Sequence, residues 1–174
     1  MKILGISGSI RKDSSNGKIL DLFSGFLPTG TEFTIFEGLE DILHFDPANI
    51  EEPPAFTRLK ESLLEADGII ISTPEYAFGI PAVLKNALEW TVSVSAFNAK
   101  PTALITASTS GTKGHQALLW VLEALGAKVN QDTTLLIQFI RSKMDENGNV
   151  KDDATIEAVK NVAEALVSLA SQVD

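Results

Sequence analysis

Apolar positions along this chain fall into two rhythms that take turns. Short runs rich in aliphatic and β-branched residues occur at 2–7 (KILGIS), 31–36 (TEFTIF), 68–72 (GIIIS), 101–107 (PTALITA) and 133–139 (TTLLIQF). Their length and composition predict strands. Three consecutive isoleucines at 69–71 predict burial on both faces, as in the middle of a parallel sheet. Between the runs the apolar spacing changes to three and four. Ile19, Leu22, Phe23, Phe26 and Leu27 share one face of a helix predicted over 15–27, stopped by Pro28 and Gly30. Phe56, Leu59 and Leu63 mark a second helix. Val83, Leu84, Ala87, Leu88 and Trp90 mark a third, over 82–94, and 116–125 a fourth, ending at Gly126. Ile156, Val159, Ala163, Leu166 and Ala170 mark the last. Residues 37–55 are acidic, carry Pro47, Pro53 and Pro54, and read as irregular; 141–152 are polar with an Asn-Gly turn at 147–148.

Strict alternation of strand and helix predicts one α/β domain over 1–174: a doubly wound, five-stranded parallel sheet with helices on both faces. The length, 174 residues, suits one domain with a substantial core. Net charge is −9, which repels a phosphate backbone and anionic lipid alike, so neither nucleic acid nor membrane is an expected partner. A phosphate-bearing ligand must then be held by local geometry. There are no cysteines, which excludes disulfides, thiolate nucleophiles and cysteine-ligated clusters and fits a cytoplasmic protein. The apolar N-terminal run is short and broken by Gly5, Ser7 and Gly8, so it reads as a strand and not as a signal peptide.

Candidate chemistry gathers in loops that leave the strands. The first is GSIRKDSSN, residues 8–16. Open parallel sheets bind ligands at the carboxyl ends of their strands, near the point where strand order reverses. A helix starts here around Ser14 to Asn16, and its free N–H groups favour an anion. Ser9, Ser14 and Ser15 can donate hydroxyl hydrogen bonds to phosphate, and Arg11 can present a planar cationic fork. Asn16 can bind the ligand or tie the loop to itself, and Ser14 can equally be an ordinary N-cap. Neither a Gly-Lys-Ser/Thr ending nor G-x-G-x-x-G spacing is present, so a mononucleotide monophosphate suits the loop better than a triphosphate or a dinucleotide.

The second loop, PEYAFGIP at 74–81, follows the central strand and should lie beside the first. Tyr76 and Phe78 offer aromatic surface for a planar ring, Pro74 and Pro81 stiffen the segment, and Gly79 permits a turn. Glu75 can face water and takes no acid–base role. The third loop, STSGTKG at 108–114, has small residues whose N–H groups can form an anion-favouring concavity, or a plain turn with an N-cap. His44 and His115 lack ligand companions, so no metal is expected. Trp90 and Trp120 read as packing residues, with a subunit contact as the other reading.

GSIRKDSSN and TPEYAFGIPAVLKNALEW together resemble the NAD(P)H-dependent FMN reductase family, along nearly the whole chain. The resemblance implies a flavodoxin-like fold with strand order 2-1-3-4-5. It implies that Ser9, Arg11, Ser14 and Asn16 hold the FMN phosphate, and Ser15 stays a cofactor-binding candidate on its own hydroxyl. Pro74, Glu75 and Tyr76 would contact the ring system, with Ala77 and Phe78 as further cofactor-binding candidates of the same loop, and Ser108, Thr109, Ser110 and Gly111 would line it. It implies NADPH or NADH as co-substrate and a small-molecule acceptor such as a flavin, quinone, chromate or azo compound, reduced in a second step. It also implies a homodimer or homotetramer. The alternative is a flavodoxin-like FMN electron carrier without NAD(P)H turnover. Ala77 stands where many members have Asn, Ser15 where Tyr is frequent, and Ser110, Lys113 and Gln116 replace Gly, Gly and Arg. These departures bear on substrate preference and subunit contacts more than on flavin binding.

Overall fold

The computed structural model describes residues 1–48 and 51–172. Residues 49, 50, 173 and 174 lie outside the described residues, so the expected irregular stretch at 37–55 and the domain limit at 174 are followed only up to them. Strands β1 (Lys2–Ser7), β2 (Glu32–Ile35), β3 (Gly68–Thr73), β4 (Thr102–Ala107) and β5 (Thr134–Ile137) alternate with helices α1 (Ser15–Ser24), α2 (Pro54–Glu65), α3 (Ala82–Trp90), α4 (Thr112–Ala124) and α5 (Asp153–Ala170). The strands form one sheet in the order β2-β1-β3-β4-β5, and every pairing is parallel. This is the flavodoxin-like architecture expected. Among the described residues, no helix is long and apolar enough to cross a membrane.

Parallel strands joined by crossover helices must bury both faces. All six residues of β3 and all six of β4 are buried, which is why the isoleucine run shows no alternation. On one face Ile70 and Ile105 meet Ile19, Leu20 and Phe23 of α1 and Val159, Ala163 and Leu166 of α5. On the other, Ile69, Ile71 and Leu104 meet α2, α3 and α4 through Phe56, Leu63, Leu84, Leu88, Leu118 and Leu122.

Three helix boundaries depart from expectation. Helix α1 stops at Ser24, three residues early, because Gly25, Phe26 and Leu27 donate to carbonyls three residues back and tighten the chain ahead of Pro28. Helix α3 stops at Trp90 and passes into a 3₁₀ turn, Thr91–Ser93. There the Thr91 and Ser93 hydroxyls donate to the carbonyls of Leu88 and Trp90. Helix α4 starts at Thr112, four residues sooner than the apolar rhythm suggests, for a reason that belongs to the site below. The two tryptophans also differ. Trp90 is buried, donates to the Leu43 carbonyl and packs on Phe45 and Phe56, whereas Trp120 is 64% exposed and packs into no core.

Candidate functional site

Strands β1, β3 and β4 are neighbours, so the loops leaving their carboxyl ends emerge side by side. The first exit is tightly held. Gly8 donates its N–H to the Ser72 carbonyl at 2.8 Å, and a Cβ at position 8 would lie 2.2 Å from Thr73 Oγ1. Only glycine lets β1 pass this close to β3. The Ser7 hydroxyl donates to the Ser9 carbonyl and accepts from the Ser9 N–H, which turns the chain toward α1.

Ser14 is the N-cap of α1: its hydroxyl oxygen accepts from Gly17 N at 3.0 Å. That bond uses a lone pair and leaves the hydroxyl proton free, so capping and anion donation are compatible in one side chain. The N–H groups of Ser15 and Asn16 belong to the first turn and have no intrahelical acceptor. Asn16 is only 3% exposed, and its amide is committed to the fold. It donates to the Ala107 carbonyl at 3.2 Å and accepts from the Ser72 hydroxyl at 3.0 Å. This one side chain ties the start of α1 to the ends of β3 and β4.

The second loop is a two-residue hairpin. Tyr76 and Gly79 exchange both backbone hydrogen bonds at 2.9 Å, with Ala77 and Phe78 at the tip, both at positive φ (48° and 62°). Phe78 is 69% exposed, with the Lys113 ammonium 4.4 Å from its ring centroid. Glu75 is half-buried and does more than face water. Its carboxylate accepts from Gly114 N at 2.7 Å and Gly111 N at 3.3 Å, and its own N–H donates to the Ser108 hydroxyl at 3.3 Å. A carboxylate at a helix N-terminus satisfies orphan donors and meets the positive end of the dipole. This cap, delivered from the neighbouring loop, is what lets α4 begin at Thr112. It also means that Gly111 and Gly114 donate inward, within the protein.

All three loops line one cleft of about 450 Å³. Ser9, Arg11, Ser14, Ser15 and Asn16 enter from the first, Pro74, Glu75 and Tyr76 from the second, and Ser108 and Thr109 from the third. Ala77, Phe78, Ser110 and Gly111 do not line it: the first two stand at the hairpin tip and Gly111 is buried beneath. Four lining residues escaped the sequence reading, namely Asp13, Ala107, Ile140 and Arg141. The last two come from the exit of β5, which the strand-end rule covers but which shows no motif of its own. A second recess of about 420 Å³ lies against the first loop and the residues after β2, and does not touch the second or third loop. In α4, His115 Nδ1 lies 2.9 Å from Thr106 Oγ1 of β4, and burial holds the imidazole pKa below its ordinary value.

The arrangement fits a flat phosphomonoester. A helix N-terminus, three hydroxyls and a guanidinium form an anion-donor set at one side, and a stiff hairpin and a small-residue loop form the other wall. The volume lies in the range of ligand clefts, roughly 300–1,000 Å³.

Comparison with known proteins agrees with this chemistry. The family model described as NADPH-dependent FMN reductase matches residues 1–141. An NAD(P)H-dependent FMN reductase of Pseudomonas aeruginosa is 31% identical, over 95% of this chain and 93% of its own. A quinone reductase of Escherichia coli is 29% identical, over 90% of this chain and 88% of its own. Among solved structures, a flavoenzyme NAD(P)H:(acceptor) oxidoreductase from Paracoccus denitrificans superposes with a TM-score of 0.79 at 24% identity. That match spans 98% of this chain and 97% of the other. The chain therefore belongs to the NADPH-dependent FMN reductase family, a family of oxidoreductases that work with FMN and a reduced nicotinamide.

Proposed function

We propose that the whole chain acts as one FMN-binding domain that oxidises NADPH or NADH and reduces a small acceptor in a second, separate step. The observation that carries this reading is the convergence of three strand-end loops on one cleft that contains the N-terminus of α1 and Arg11. FMN held in this cleft would supply the redox chemistry, accepting hydride from the nicotinamide and giving two electrons to a flavin, quinone, chromate or azo compound.

The protein's part is to hold and orient. Ser9, Ser14 and Ser15 would donate hydroxyl hydrogen bonds to the phosphate, and the first turn of α1 would add backbone donors. Arg11 adds a charge-assisted bond. Asn16 acts one layer back, keeping α1 in register with β3 and β4. Pro74, Glu75 and Tyr76 form a stiff edge for the ring system, and Ser108 and Thr109 face it across the cleft. The Glu75 cap keeps those two walls at a constant spacing, and the buried Gly111 supports the third loop from behind, with Ser110 exposed at its turn. Ala77 and Phe78 stand at the mouth, where an incoming nicotinamide or acceptor would pass. Bringing two flat rings into contact in a defined pose is itself a large catalytic contribution. We place the protein in the cytoplasm as a homodimer or homotetramer. The exposed Trp120 is the kind of apolar side chain that a second copy would cover.

The test is spectroscopic and kinetic. Apoprotein mixed with FMN should retain a yellow chromophore through desalting, and anaerobic NADPH or NADH should bleach it. Steady-state rates with a quinone should give parallel double-reciprocal lines. Protein that takes up no FMN would refute the flavin reading, and intersecting lines would refute the two-step order.

A further inference from the structure

The chain has three arginines, Arg11, Arg58 and Arg141, and two of them line the same cleft. Arg141 comes from a part of the fold with no motif. After β5 the chain turns at Phe139, which takes the left-handed conformation (φ 53°), and enters a 3₁₀ turn, Ile140–Lys143. Three backbone hydrogen bonds lace this turn to the third loop. Ser108 donates to the Ile137 carbonyl, Phe139 to Thr109 and Ile140 to Ser108, at 3.1, 3.1 and 3.2 Å. Ile140 is anchored in the core beneath α1 and α5. Arg141 is thus delivered to the cleft wall by a rigid segment and not by a loose tail.

The basic groups nearby divide into committed and free. Lys143, two residues on, pairs with Asp152 at 3.0 Å. The Arg11 and Arg141 guanidiniums make no ion pair and no hydrogen bond with any described residue. The Glu75 carboxylate in the same cleft is engaged with Gly111 and Gly114, which leaves Asp13 as the remaining acid on the lining. In a chain of net charge −9, two uncommitted guanidiniums on one hydroxyl-lined cleft are a local reversal of the global sign.

Resting on the flavin reading above, we infer that Arg141 is a second phosphate-binding residue, reaching the FMN phosphate from the β5 side while Arg11 and α1 hold it from the β1 side. A phosphomonoester dianion has three terminal oxygens and accepts more charge-assisted bonds than one guanidinium offers. Two forks on different elements also make retention depend on the phosphate and not only on the ring.

Riboflavin, which has the ring and lacks the phosphate, separates the possibilities. Apoprotein is titrated with FMN and with riboflavin by flavin fluorescence, for the wild type, Arg141→Ala and Arg141→Lys, with Arg11→Ala as comparator. Arg141→Ala should weaken FMN about tenfold or more, the scale of a charged hydrogen bond, and leave riboflavin unchanged. Arg141→Lys, which keeps the charge but loses the fork, should fall between. Arg141→Ala should also flatten the loss of FMN affinity with added salt. Equal weakening of FMN and riboflavin, or unchanged FMN affinity, would overturn the assignment. So would unchanged FMN affinity with a raised KM for NADH or NADPH, which would give Arg141 to the coenzyme pyrophosphate. Wild-type protein that binds neither flavin would overturn the flavin reading itself.

Discussion

Ala77 and Phe78 occupy the two central positions of a hairpin turn in which both residues have positive φ. Such turns favour Asn-Gly, because an ordinary side chain meets the following carbonyl in this conformation. Ala77 is therefore a strained residue. Ala77→Asn should stabilise the protein by about 0.5–1 kcal/mol and raise its melting midpoint. An unchanged or lower midpoint would show that the turn is not under strain at this residue. The chemistry of single residues was only partly legible in the sequence. Ser14 could be read as a cap or as a phosphate donor; the fold shows the cap, and the hydroxyl proton it leaves free is compatible with the second role. Asn16 was readable as a ligand or as a tie; its partners Ser72 and Ala107 are distant in sequence, so only the folded chain shows it as a tie.

Elements were legible wherever local rhythm determines them and illegible wherever a distant group does. The three buried isoleucines announced β3, and Pro28 announced the stop after α1. The start of α4 could not be read, because its cap is the Glu75 carboxylate from the preceding β–α loop. Glu75→Ala should destabilise the fold by about 1–2 kcal/mol, the cost of a lost cap. Exposed glutamates commonly cost less than about 0.5 kcal/mol on substitution. Hydrogen exchange at Gly111 and Gly114 should speed up specifically. If stability and exchange both stayed as in the wild type, the carboxylate would not be the cap. Arg141 escaped notice for the same reason as α4: its position depends on backbone bonds between the ends of β4 and β5, which no local pattern encodes.

At the scale of the molecule, alternation of strand and helix required a parallel sheet but not its order, since local pattern does not say on which side each crossover runs. The order 2-1-3-4-5 came from family resemblance, and the sheet agrees with it. Global charge is the property most directly readable from composition. With FMN bound, the phosphate adds about −1.5 to −2 to the protein's own −9. The loaded enzyme should then repel an anionic coenzyme, and salt should screen that repulsion. The kcat/KM for NADH or NADPH should rise as ionic strength goes from about 10 to about 150 mM. A fall over that range would mean that residual cations at the cleft mouth dominate encounter.

The close passage of Gly8 against Thr73 bears on how this rim can diversify. Any side chain at position 8 would push two neighbouring strands apart at the point where the cleft begins, so that site is closed to variation. Phe78, at the tip of the hairpin that walls the cleft, carries a large exposed side chain with room to change. Laboratory selection for new acceptors should therefore accumulate replacements around the mouth and leave the glycine at its base untouched.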